Sequence, residues 1–238
     1  MTGEEYIKNF NKFNKKEIDS AVEELSSLRE ENRKHLQRLV YTNVVNRFDS
    51  LVDHLLMSHA VDTTSSLYEM VIHKVKDQPI SQKEVYEILL SSDYRSASLE
   101  RVEDLVREHF LRDRHSKKLQ LLLTECYGAK SHELNAPRVN ANNGKIHSKT
   151  TPRKSVKVPT SIIGYADYLY SKRNAMVHGD GTSSKILDRD YQFLKKYHIN
   201  NPGKMVGVKL NSITSASTFY RYLAQYLMDG DWPPSRGF

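Results

Sequence analysis

Residues 33–59 read RKHLQRLVYTNVVNRFDSLVDHLLMSH, and no Gly or Pro interrupts them. Leu36, Val40, Val44, Val45, Phe48, Leu51, Val52, Leu55 and Leu56 recur three and four residues apart, the spacing of one face of an α-helix. At ~1.5 Å per residue such a helix is about 40 Å long, enough to form the spine of a helical bundle. A stripe of that length must be covered by other helices, so the flanking sequence should supply them.

It does. Residues 15–31 place Ile18, Val22, Leu25 and Leu28 at helical spacing. Further helices are expected over 65–77, ending before Gln78-Pro79, and over 82–91, opened by the capping box Ser81-x-x-Glu84. Residues 98–112 and 115–126 follow, the latter ending near Gly128. A helix over 160–178 is capped by Thr160 or Ser161, and another over about 213–228 carries Phe219, Tyr222, Leu223, Tyr226 and Leu227. Residues 204–210 alternate weakly and suggest a short strand, while Asp231-Trp-Pro-Pro234 cannot be helical. The expected fold is all-α, a single domain over 1–238 with a helical insertion at 65–127 and a long basic loop at 129–160.

Composition narrows the function classes. The 238 residues carry a formal charge of +7, with 38% hydrophobic and 27% charged residues. No apolar run approaches the ~20 residues of a membrane-spanning helix. The opening Met1-Thr-Gly-Glu-Glu5 is acidic, unlike a signal peptide. One cysteine, Cys126, excludes an intramolecular disulfide and a cysteine-based zinc site, and it follows an apolar run that marks it as a packing residue. A cytoplasmic protein is expected. No H-E-x-x-H, G-x-S-x-G or Gly-rich phosphate loop occurs, so neither a metal nor a cofactor is expected.

The charge is concentrated. Between residues 129 and 160, Lys130, Arg138, Lys145, Lys149, Arg153, Lys154 and Lys157 face a single acid, Glu133. Three prolines and Asn142-Asn-Gly144 make this stretch irregular, and long irregular loops are commonly functional or disordered. One reading is an arm for a polyanion, in which Lys145, Lys149, Arg153, Lys154 and Lys157 follow an RNA backbone and release its counterions. The plainer reading is a solvated basic linker.

Residues 168–180, YLYSKRNAMVHGD, carry the chemistry. Ile162, Ile163, Ala166, Leu169 and Tyr170 set an apolar stripe whose continuation reaches Arg173 and Val177. A charged residue there is costly unless an anion or another subunit meets it. Asn174 and His178 lie four apart, within hydrogen-bonding reach along a helix that Gly179 can end. An imidazole can move the proton of a ribose 2′-OH or of a leaving 5′-oxygen. A guanidinium beside it can hold the developing phosphorane charge. Lys172, next to Arg173, joins the cations expected on the RNA. Tyr165, Tyr168 and Tyr170 could stack on bases, although packing on an amphipathic helix accounts for them equally.

Arg173-Asn174-Ala-Met-Val-His178 resembles the RN-x-x-x-H signature of the HEPN superfamily (higher eukaryote and prokaryote nucleotide-binding domains). Arg29 with His35 and Arg47 with His54 have allowed spacings too, but neither has an Asn after the Arg or a Gly after the His. The resemblance covers the long helix, the motif helix and the last helix. It implies an all-α bundle that dimerises to join two motifs in one composite site. It also implies a metal-independent endoribonuclease, a stand-alone toxin or an abortive-infection and anti-phage defence effector. His178 would be the acid–base residue, Arg173 would stabilise the transition state and Asn174 would orient the His. Asp49 matches an acid that such a long helix carries. In toxin families silenced by nucleotidyl transfer a Tyr stands two residues after the His; here Asp180 stands there, so that modification is not expected. The implied partners are RNA, a second copy of the chain and a cognate antitoxin or sensor protein, with no membrane. The alternatives are a HEPN module that binds nucleic acid or nucleotide without catalysis, or a protein-interaction scaffold.

Overall fold

Thr2 opens the first helix, α1 (Gly3–Phe13), through a capping box with Glu5. The structure is a computed structural model and describes residues 2–75, 81–150, 158–178, 192 and 207–230. No spacing had predicted α1, yet its Ile7, Phe10 and Phe13 are buried. A single turn of π-helix, Asn14–Ile18, joins it to α2 (Asp19–Ser27). The buried Asn14 uses that turn: its Nδ2 donates to the Phe10 carbonyl at 3.2 Å, and its Oδ1 accepts from Ser217 at 2.9 Å.

The spine is α3 (Glu30–Ala60), as residues 33–59 predict. Val44, Val45, Phe48, Val52 and Leu56 are wholly buried, because α1, α7 (His115–Leu121), α9 (Ile162–His178) and α10 (Leu210–Asp229) pack around them. Phe48 stacks on Tyr220 of α10 at 4.3 Å between ring centroids and meets Phe10 of α1 edge-on at 5.4 Å. Leu36, although on the predicted stripe, is exposed, since the first turns of α3 overhang the bundle; Leu28 is exposed at the end of α2.

The block at 65–127 is not one kind of structure. Its α5 (Gln82–Leu90) packs on α6 (Tyr94–Val106) and buries none of its side chains, whereas α4 (Ser66–Val75) packs on α3 and buries Leu67 and Val71. The capping box of Ser81 with Glu84 is present. By contrast α7 and the π-helical turn Leu122–Cys126 are core elements, with Leu119, Leu122 and Leu123 wholly buried and α7 packed on α9 and α3.

The basic stretch departs from the irregular arm that its composition suggested. Residues 131–135 form a short helix, α8 (Ser131–Asn135), and two isolated bridges, Pro137 with Ser161 and Val139 with Ile146, fold the following residues back. Gly144 has φ +74° and lies so close to α10 that a Cβ would meet the Ser215 carbonyl oxygen at 1.9 Å, which only glycine can accommodate. Ser215 donates in turn to the Asn142 carbonyl at 2.8 Å. Residues 129–150 are therefore docked on the bundle.

Among the described residues there is no strand. Residues 207–209, expected at the end of one, are irregular and Leu210 begins α10; residues 204–206 lie outside the described residues, as do 231–234. No helix among the described residues is long and apolar enough to cross a membrane.

Candidate functional site

Ser161 caps α9, its Oγ accepting from the Gly164 amide at 3.1 Å. From there Ile162, Tyr165, Ala166 and Leu169 face the core, and the same stripe continues to Lys172. The deeply buried cation of this helix is thus Lys172, at 8% exposure, and not Arg173, which is half-buried at the stripe's edge. Val177, predicted to share the buried stripe, is exposed.

Arg173 is held by amides. Its Nε donates to Oδ1 of Asn46 on α3 at 2.5 Å, and its Nη1 donates to Oδ1 of Asn174 at 2.8 Å. The guanidinium also lies over the Tyr170 ring, 5.6 Å from its centroid. Amide oxygens orient a guanidinium without cancelling its charge, as a carboxylate would. The expected bond between Asn174 and His178 cannot be placed: the His178 side chain lies outside the described residues, as do Gly179 and Asp180.

Asp49 sits one turn along α3 from Asn46, but its partners are not the motif residues. Its Oδ1 accepts from Nδ1 of His115 at 2.8 Å and from Nζ of Lys118 at 2.8 Å, both on α7. Lys118 also reaches Asp53 at 2.5 Å. Burial pushes the Asp49 carboxyl up, but the bonds and charges of His115 and Lys118 outweigh burial and hold it at about 2. Asp53 shifts the other way: its burial and the neighbouring Asp49 charge together exceed what Lys118 returns. For Lys118 burial is opposed by the two carboxylates, which raise its pKa. Because ionised Asp49 only accepts, Nδ1 of His115 carries the hydrogen, and its buried Nε2 has no hydrogen-bond partner among the described residues.

Tyr170 joins the two halves. Its ring stacks on His115 at 5.2 Å with 14° between planes, and it carries Arg173. Behind it Arg114 forms an ion pair with Asp167 and a hydrogen bond with Ser171, and Ser116 donates to Asp167 at 2.9 Å. The residues that sequence reasoning missed, Asn46, Asp53, Arg114, His115, Lys118 and Asp167, had a signal. Asn46, Asp49 and Asp53 interrupt the α3 stripe at helical spacing, and Arg114-His-Ser-Lys-Lys118 opens a helix whose next turns are apolar.

The cations expected on RNA divide three ways. Lys145 and Lys149 are exposed on the docked loop, and Lys145 lines a cleft of about 400 Å³ with Lys15, Arg221 and Tyr222. Arg153, Lys154 and Lys157 lie outside the described residues. Lys172 does not belong to this set, because burial between aromatic rings removes it from any open RNA track.

Comparison with protein-family models, with curated proteins and with solved structures returns no match.

Proposed function

We propose that the chain is a metal-independent endoribonuclease of the HEPN kind, working as a homodimer in a toxin or anti-phage defence role. The observation that carries the proposal is the setting of Arg173, a cation oriented by two neutral amides. It lies five residues before His178 on the same helix. In this reading the 2′-oxygen attacks phosphorus and the P–O5′ bond breaks. His178 accepts the 2′-OH proton, and the His178 of the second copy donates one to the leaving 5′-oxygen. Arg173 stabilises the pentacoordinate phosphorane, with Asn174 and Asn46 fixing its plane. Asp49 acts at a distance, bracing α3 against α7. Lys145, Lys149, Arg153, Lys154 and Lys157 attract the RNA backbone.

A second reading has its own observation. Tyr86, Leu89, Leu90 and Tyr94, on α5 and the start of α6, are all exposed by more than 60%. Clustered exposed apolar side chains mark protein interaction surfaces, and this favours a scaffold that binds an antitoxin or sensor.

The deciding experiment is RNA cleavage in excess EDTA by wild type and His178→Ala. Cleavage by wild type alone, leaving 2′,3′-cyclic phosphate and 5′-hydroxyl ends, supports the enzyme. Intact tRNA and total RNA with both proteins overturn it in favour of the interaction reading.

A further inference from the structure

Lys172 presents a charge for which the described residues supply no counter-charge. Its ammonium lies 5.5 Å from the ring centroid of Tyr41 and 5.8 Å from that of Tyr168, and no carboxylate pairs with it among the described residues. Burial pulls its pKa down to about 8. An unpaired, nine-tenths buried ammonium is expensive, and a partly favourable contact with two ring faces returns only a share of that cost.

The same side chain lines a cavity of about 330 Å³, together with Asn142 of the docked loop and Asn211 and Ser212 of α10. Those last two residues stand in the first turn of a helix of 20 residues. Its N-cap, Lys209, makes no side-chain capping bond, so the Leu210 and Asn211 amides have no cap, while the Ser212 amide donates to the Lys209 carbonyl at 2.9 Å. A helix N-terminus and a buried ammonium, from two different elements, thus meet at one cavity with no acid in its lining among the described residues. Among the described residues, the titratable groups that line it besides Lys172 are Tyr41, Tyr165 and Tyr168, and burial raises the pKa of each, so they remain neutral phenols that do not repel an anion.

We propose that this cavity is a binding site for a small phosphate group, as free phosphate or as the monoester of a nucleotide. A tetrahedral dianion suits donors from three elements: the Lys172 ammonium on α9, the Ser212 hydroxyl and the Asn211 amide groups at the start of α10, and the side-chain amide of Asn142 on the loop, whose backbone N–H is taken by Asn140. A planar carboxylate uses fewer of them. The site does not rest on the ribonuclease reading, since Lys172 and Arg173, successive on one helix, face about 100° apart, and Arg173 does not line this cavity.

The test is calorimetric titration of the full, nuclease-treated protein at pH 7 with inorganic phosphate, AMP and acetate at matched ionic strength. Phosphate or AMP should bind one per chain, acetate at least tenfold more weakly, and Lys172→Met should weaken phosphate at least tenfold. Tighter binding of AMP than of phosphate assigns the tyrosines to a base; the reverse assigns the site to free phosphate. Acetate binding as well as phosphate, no heat with phosphate or AMP, or unchanged affinity in a folded Lys172→Met variant overturns the proposal. Ser212→Ala, which removes one hydroxyl and no packed carbon, decides the matter if Lys172→Met does not fold. It should weaken phosphate at least threefold, and unchanged affinity there overturns the proposal equally.

Discussion

Oδ1 of Asn46 accepts the Nε hydrogen of Arg173 at 2.5 Å, and this bond fixes the motif guanidinium to the long helix. Asn46 is a positioning residue in the proposed reaction. Asn46→Ala should lower kcat for RNA cleavage by about 10–100-fold with little change in KM, because Arg173 keeps its charge and loses its aim. Stability should fall by only about 1 kcal/mol. Asn46→Asp should be no better, since a carboxylate would neutralise the guanidinium, and single-turnover kinetics on one RNA separates these effects.

Asp49 should leave a signature in acid. Its folded pKa of about 2 lies below the unfolded 3.8, so its contribution is present above the unfolded value and is lost as pH falls through the folded one. The size is about 2 kcal/mol. Urea unfolding between pH 2 and 6 should show that loss in wild type, and Asp49→Asn should be destabilised at pH 6 and show a flatter profile below pH 4. An unchanged acid limb in Asp49→Asn would mean that His115 and Lys118 do not hold this carboxylate.

Lys172 predicts the opposite sign. A lysine whose folded pKa is near 8 binds its proton less tightly in the folded chain than in the unfolded one at 10.5. Its penalty is therefore fully present below pH 8, and stability gains as pH rises from there to the unfolded value. In phosphate-free buffer Lys172→Met should be more stable than wild type at pH 7 by up to about 3 kcal/mol, and the gap should close toward pH 10. Equal melting temperatures at pH 7 would contradict it.

Gly144 tests whether the basic stretch is docked in solution. Gly144→Ala forces a Cβ into the Ser215 carbonyl, so either α10 shifts or the loop leaves it. The expected result is selective proteolysis within residues 137–150, with the rest of the bundle still folded; an intact loop after digestion would show that it is held elsewhere.

The all-α bundle was legible because α3, α9 and α10 each carry a long apolar period that no Pro interrupts. The helix α1 was not, since its three buried residues sit among Asn, Lys and Glu and only the capping box betrays it. The docking of residues 129–150 escaped because composition reports charge, whereas burial of Val139 and Ile146 depends on a turn at Gly144 that fits one place on α10. In the site, Arg173 and Asn174 stood out as a pair. Which α3 residue meets Arg173 was a question of helix rotation: Asn46 and Asp49 differ by about 60° around the axis, and only packing against α7 selects between them.

Along α3, Tyr41 reaches the α9 backbone at Leu169, Asn46 reaches Arg173, and Asp49 and Asp53 reach α7. These grips are spread over successive turns and two partner helices, so sliding or rotating α3 by a single residue breaks all of them together. The long helix is keyed like a lock with several wards. A slip of a single residue leaves none of these contacts made, so the interface of α3 with α7 and α9 loses its alignment as a whole and not piece by piece.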